Sequence, residues 1–210
     1  MSKLRLKALQ VEQWFSGLRL VGGHPAIDFV NTIEYRGRID DLDRLQDFRS
    51  LVTFASTVGV LEESERRVLL DIDYQDEGSA AAAYAAAINL REDLRAALDG
   101  PTKKSAEFQA AVARVSSRIE KALRHQRFHY DGESRQGYRS LPMIDPNHLV
   151  HRLSLQVEDV LTNNTRPIRE CQGPNCDWLF IDRSRSGVRR WCHTTQCGNT
   201  ARVRRFRQGG

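Results

Sequence analysis

All four cysteines of this chain lie in its last forty residues, at Cys171, Cys176, Cys192 and Cys197, in the pattern C-x4-C-x15-C-x4-C. Two close pairs joined by a short insert let four thiolates converge on one tetrahedral centre, each pair supplying an edge, and Zn2+ is the usual occupant of a sulfur-only structural site. Gly173-Pro174 between the first two ligands suits the tight turn that such a pair requires. Two disulfides, an iron–sulfur cluster and a redox switch are the competing uses of four sulfurs. Disulfides belong to secreted chains, and the opening MSKLRLKALQVEQWF has no apolar run long enough for a signal-peptide core. Zinc in a protein of the reducing cytoplasm is therefore the expectation. His193 adjoins Cys192, but four cysteines already complete the set, so it reads as a neighbour of the metal. With every position filled by protein, the metal has no place for water or substrate and acts as a staple. About forty residues cannot build an adequate core alone, so metal binding must supply much of the folding free energy.

The same tail carries the basic charge. From residue 166 to 210 there are ten arginines and no lysine, against Glu170, Asp177 and Asp182, a net charge of +7; the rest of the chain must then be −2, since the total is +5. Arginine binds phosphate bidentately and reads guanine edges, so the segregation points to a polyanionic partner rather than to a generally basic surface. The candidates for nucleic-acid contact are Arg183, Arg185, Arg189, Arg190, Arg202, Arg204, Arg205 and Arg207. Within GNTARVRRFRQ, helical spacing places Val203 and Phe206 on the side of Asn199 while Arg204 and Arg205 point away, with Arg202 and Arg207 between. That pattern predicts a short helix with its apolar side on the metal core and an arginine-rich outer surface.

The elements that must hold this tail are mostly helical. Gly22-Gly23 is a turn after a short strand at Arg19–Val21, and His24-Pro25 opens a helix through IDFVNTIEY, with Ile27, Val30 and Ile33 on one side. Further helices are predicted from Leu42 to Val58, from Leu61 to Tyr74, through SAAAAYAAAINLREDLRAAL to a stop at Asp99-Gly100-Pro101, and from Ser105 to Arg124 on a stripe of Phe108, Val112, Val115, Ile119 and Leu123. RFHYDGESRQGYRSLP, with turn residues between two aromatic arms, reads as a β-hairpin, and Asp145-Pro146 opens a helix over about 147–162. TNNTRP marks a boundary, which divides the chain into residues 1–165 and 166–210. The fold class expected is mostly α with a minor β component: a helical N-terminal domain with a β-hairpin, and a small C-terminal treble-clef or ribbon-like zinc finger. No segment approaches the roughly 18 apolar residues of a membrane span.

His24, Asp28, Asn31, Thr32 and Tyr35 form a polar stripe beside the apolar one. Two uses fit it. His24, Asp28, Asn31 and Tyr35 could grip a small-molecule effector, or the same groups could cap helix ends and bond neighbouring loops. No nucleophile with its base, phosphate-cradling loop or catalytic metal triad stands out, so no enzyme activity is expected.

The tail resembles the CGNR zinc finger, a bacterial module, through Cys197-Gly198-Asn199-Thr200, the preceding WLFIDRSRSGVRRWC and the following ARVRRFR. It departs where Thr200 stands in place of the family's arginine, which removes one cation but no zinc ligand. GHPAIDFVNT at 23–32, the YRGR that follows and INLREDLRAAL at 88–98 are similar to the ABATE domain that accompanies this finger. The resemblance implies a stress-induced transcriptional regulator. Together with the charge it leads to the expectation of a zinc-dependent regulator that binds double-stranded DNA and responds to a ligand or stress signal through residues 1–165. An RNA-binding or protein-docking zinc module is the alternative. The oligomeric state stays open, a homodimer included.

Overall fold

The computed structural model describes residues 20–34, 42–98, 106–142 and 145–208. Packing divides the chain into two compact units, one of residues 47–162 and one in which residues up to 46 join residues 163–210. Helices dominate, and the strands form three two-stranded antiparallel sheets, in keeping with the mostly α, minor β class expected.

Helix α1, Pro25–Val30, starts where the sequence indicates, with Pro25 in its first turn and the His24 ring accepting the Ala26 N–H at 3.2 Å. The helical period suggests continuation through Ile33, yet the helix ends after six residues. Asn31 closes it, and the Thr32 hydroxyl donates to the Phe29 carbonyl at 2.8 Å. Strand β1, Ile33–Glu34, follows and pairs with β2, Leu42–Asp43, so the start of the helix predicted from Leu42 is a strand. Leu20 and Val21 form no strand, and Arg19 and the YRGR segment beginning at Tyr35 lie outside the described residues.

In the second unit α2, Phe48–Thr57, begins at Asp47 because Asp47 and Ser50 cap each other: the Ser50 N–H donates to Asp47 Oδ1 at 2.8 Å, and the Asp47 N–H to Ser50 Oγ at 3.0 Å. The later helices are α3, Glu63–Gln75; α4, Glu77–Leu98; α5, Ala106–His125; and α6, Asn147–Thr162. Helix α4 buries Ala80, Ala83, Ala87, Leu90 and Leu94, a spacing of alternating three and four that runs one seam along the helix, and the small alanines let its neighbours α5 and α6 approach closely. The α5 stripe is turned from the expected one: Ala111, Val115 and Ala122 are buried while Leu123 is exposed, because small residues meet the alanine seam. Buried Asp93 of α4 bridges Arg114, at 2.7 Å, and Arg118 of α5. Glu65 of α3 holds His148 Nε2 at 2.8 Å and Arg152 at 2.9 Å on α6. The predicted hairpin is present as β3, Arg127–Asp131, and β4, Gln136–Ser140. The end predicted at Asp99-Gly100-Pro101 lies outside the described residues. Among the described residues no helix is long and apolar enough to cross a membrane.

The chain then returns to the first unit. Strand β5, Ile168–Glu170, pairs with β6, Leu179–Ile181, and a π-helical turn, Thr194–Gly198, leads into α7, Asn199–Gln208. All three β6 residues are buried. One edge of β6 faces β5. At the other, Gly22 accepts the Ile181 N–H at 2.9 Å, and the Asn31 side chain takes both polar groups of Leu179. Strand β6 thus has no open edge over its length, although no third strand pairs with it among the described residues.

Candidate metal centre and arginine surface

The sulfur atoms of Cys171, Cys176, Cys192 and Cys197 all lie within 4.8 Å of one another. Cys176 and Cys192 are 3.7 Å apart and Cys192 and Cys197 3.6 Å. A tetrahedron with Zn–S bonds of about 2.3 Å has edges of about 3.8 Å, so the cluster has the dimensions of a zinc site, and none of the four is in a disulfide. The four residues form a structural zinc site.

Each ligand is placed by an identifiable local feature. Cys171 follows β5, and its N–H donates to the Trp178 carbonyl at 2.9 Å. Gly173-Pro174-Asn175-Cys176 is a turn closed by the Cys176 N–H to the Gly173 carbonyl at 3.1 Å; Pro174 sits second, and Asn175 third at φ 69°, the left-handed position that asparagine tolerates. Gly173 is forced: a Cβ there would stand 2.9 Å from Cys197 Cβ and 3.1 Å from its Sγ. Gly198 is favoured from the other side, where a Cβ would stand 3.0 Å from the Trp191 ring and the ring would have to give by a few tenths of an ångström. The N–H groups of Cys192 and Gly173 donate to Cys171 Sγ at 3.2 and 3.4 Å. The thiols of Cys176 and Cys192 together with those amides push Cys171 down to about 2, whereas the same crowding pushes Cys176 and Cys192 up. Four sulfurs this close need a cation before all can be thiolates, which is what Zn2+ supplies. Phe180, with Cys171 and Cys192, makes the small buried core, flanked by Val21, Trp178 and Trp191. His193 is half-buried and its Nδ1 meets the Thr195 hydroxyl at 3.0 Å, so it stands beside the metal site and not among its ligands.

Asp182 enters the sequence reading only as one of three acidic residues of the tail, yet it is fully buried and organises the arginine turn that follows it. It accepts from the Ser184 hydroxyl at 2.6 Å, from the N–H groups of Ser184 and Arg189 at 3.0 and 2.9 Å, and from Arg169 Nε at 3.1 Å. These bonds, the Ser184 hydroxyl foremost, hold its carboxyl below the usual range. The sequence signal for this role is Asp182-x-Ser184, the spacing of a side-chain turn.

The candidate arginines separate into two groups. Arg183 donates to the Gly23 carbonyl at 2.9 Å; Arg189 donates to the Trp191 carbonyl at 2.8 Å and to that of Cys192, with its guanidinium 4.5 Å from the Phe180 ring centre; Arg190 bonds Gln172 at 2.6 Å and lies over Trp191. Arg202 reaches the Gly198 carbonyl at 3.4 Å. These four brace the finger. Arg185, Arg204, Arg205 and Arg207 are exposed and make no hydrogen bond or ion pair among the described residues.

Helix α7 is turned opposite to its expected orientation. Its side chains at Ala201, Arg204, Arg205 and Gln208 share a depression with Gln172 and Pro174 of the first cysteine loop, and of these four only Ala201 is half-buried. Val203 is 42% exposed and Phe206 85%, so the apolar side does not pack on the zinc core. The reason lies in the core itself: Trp178, Phe180 and Trp191 already surround the cysteines, and a single alanine suffices to seat the helix.

Of the polar stripe in the N-terminal segment, Asp28 accepts the Gly22 N–H at 2.8 Å, and burial pushes its carboxyl up to about 6. Asn31 spends its side chain on Leu179, and His24 caps α1. Tyr35 lies outside the described residues. Beside the cysteines a cavity of about 400 Å3 is lined by Glu34, Arg44, Trp178, His193 and Gln196 among others.

Residues 168–208 match the CGNR zinc finger family, and residues 23–163 match ABATE, described as "Putative stress-induced transcription regulator". No curated protein matches the chain. The ABATE match alone takes in about two thirds of the 210 residues, and the finger match holds all four zinc ligands. By that coverage the chain belongs to the ABATE family, with a CGNR zinc finger as its C-terminal module.

Proposed function

We propose that this protein is a zinc-dependent transcriptional regulator of the cytoplasm that binds double-stranded DNA through the finger. The observation that carries the reading is the exposed set Arg185, Arg204, Arg205 and Arg207, unpaired among the described residues, on a module whose own carboxylates lie elsewhere: Asp182 is buried, Glu170 belongs to β5 and Asp177 lines the cavity beside the cysteines. Guanidinium groups left without an internal partner keep their full capacity for phosphate oxygens. Zinc enters as the staple that gives α7 its starting point two residues after the last cysteine. Response to a ligand or stress signal through the remainder of the chain completes the reading and is supported by the family description. The contact of Asn31 with β6 offers the physical route, since a change in α1 would reach the strand that follows the second zinc ligand.

The test is binding of zinc-loaded full-length protein to fragmented genomic DNA across a salt series. Affinity falling steeply with salt, abolished by chelation and weakened by Arg204→Ala with Arg205→Ala is the expected result. No affinity for any fragment at low salt ends the proposal, and preference for structured RNA or an acidic protein surface in competition moves the finger to one of those partners.

A further inference from the structure

Val203 and Phe206 stand exposed, at 42% and 85%, on a helix that also carries Arg202, Arg204, Arg205 and Arg207 and no acidic residue. An aromatic ring so exposed has little to contribute to the finger's own stability, and the zinc core is complete without it. The two residues are three apart, within one turn, and so adjoin on one surface of α7. On the wheel Asn199 lies between them, Thr200 and Arg207 border Val203, and Arg202 borders Phe206. Asn199, Thr200, Val203 and Arg207 together line a shallow depression on that side. The opposite side, through Ala201, faces the first cysteine loop. The outward face therefore has an apolar centre, two short polar side chains and flanking cations.

This composition selects the occupant. A second copy of the same helix would set four arginines against four with no acid in either helix, which opposes self-association. A duplex groove offers the complement: phosphates on both walls for the flanking arginines, and on its floor the one large apolar feature of DNA base edges, the thymine methyl group.

We propose that α7 is the base-reading element of the finger, and that Phe206, with Val203, contacts a thymine methyl in the major groove while Arg207 and Arg204, which line the depression beside Val203, hold the backbone. The inference rests on the DNA-binding reading above and adds to it a sequence preference and the residues that set it. Asn199 and Thr200 lie beside the apolar pair, where their side chains reach base-edge donors and acceptors. Thr200 occupies the position at which the resembling finger has arginine, so this chain brings a shorter, uncharged group to the groove.

The experiment uses full-length zinc-loaded protein and the tightest duplex recovered from fragmented genomic DNA. Each thymine is replaced in turn by deoxyuridine, which removes only the methyl group. Wild-type protein is expected to lose roughly fourfold in affinity at one or more positions, the equivalent of one buried methyl group at ~0.8 kcal/mol. Phe206→Ala is expected to bind more weakly and to lose that sensitivity, while Phe206→Leu retains part of it. The proposal is overturned if the wild type binds every deoxyuridine duplex as tightly as its parent, or if Phe206→Ala discriminates as the wild type does. Should Phe206→Ala lose zinc, the wild-type profile and Val203→Ser decide in its place. Salt-sensitive, arginine-dependent binding with no methyl effect defeats this inference alone; absence of duplex binding defeats the DNA-binding reading as well.

Discussion

Asn31 and Leu179, 148 residues apart in the chain, exchange two hydrogen bonds of 2.8 Å: the Leu179 N–H donates to Asn31 Oδ1, and Asn31 Nδ2 donates to the Leu179 carbonyl. The amide side chain takes the place of a neighbouring strand, and with the Gly22 carbonyl it covers an edge that β6 would otherwise leave open. Trp178 adds a third tie, its indole N–H donating to the Ile33 carbonyl at 3.1 Å. The zinc finger is therefore closed by residues from the other end of the sequence.

Asn31→Ala leaves two buried backbone groups without partners, at about 1–3 kcal/mol each. Urea unfolding of zinc-loaded protein is expected to show a loss on the order of 2–6 kcal/mol, and chelator competition a faster release of zinc. Asn31→Asp restores the acceptor but sets an oxygen against the Leu179 carbonyl, so it is expected to recover less than half of the loss. Equal stability of Asn31→Ala and wild type would contradict the assigned role.

Gly173→Ala puts a Cβ 2.9 Å from Cys197 Cβ, a separation that real carbon atoms do not keep. Either the turn or the fourth ligand must move, and zinc affinity measured against a chromophoric chelator is expected to fall at least tenfold. Gly187→Ala is the control for a strained glycine away from the metal: Gly187 has φ 63° and open space around its Cβ position, so stability is expected to fall by about 1 kcal/mol with zinc affinity unchanged.

Removing zinc tests the two compact units separately. The unit of residues 47–162 buries its own core, with Leu51, Leu69, Leu90 and Leu153 fully enclosed, whereas the finger's core centres on the ligands themselves. Chelation is expected to abolish amide protection in β5, β6 and α7 while protection in α4 and α6 persists, as read by hydrogen exchange. Simultaneous loss across both units would show that the helical unit depends on the metal.

Asp28 supplies a pH signature. Burial raises its carboxyl to about 6 from an ordinary 3.8, so between those values the folded state binds more protons than the unfolded, and this residue's contribution to stability falls as pH rises. Asp28→Asn keeps an oxygen for the Gly22 N–H and removes the buried charge. The difference in unfolding free energy, variant minus wild type, is expected to shift in favour of the variant between pH 4 and pH 7 by of order 1–3 kcal/mol. Comparison at each pH cancels the effect of acid on the zinc ligands. A difference that stays flat across this range would mean that Asp28 titrates normally.

Much of the chemistry was legible without coordinates. Cysteine spacing determined the metal and its ligands, because four soft ligands in two short loops have few other uses, and Gly173-Pro174 announces the turn that joins one pair. Alanine propensity and the 3.6-residue period determined α4, α5 and α6, and turn residues between aromatic arms determined the hairpin. What the sequence could not decide was which of two apolar surfaces meets which partner. Period alone put Val203 and Phe206 inward, but Trp178, Phe180 and Trp191 had already filled the space around the cysteines, so α7 is seated by Ala201 and turns its ring outward. Period likewise carried α1 on to Ile33, whereas Asn31 is drawn to the peptide of Leu179 and the helix stops there. Local signals report what a segment prefers; competition for one small core and for the open edge of one strand is a property of residues far apart in the chain, and only the tertiary structure resolves it.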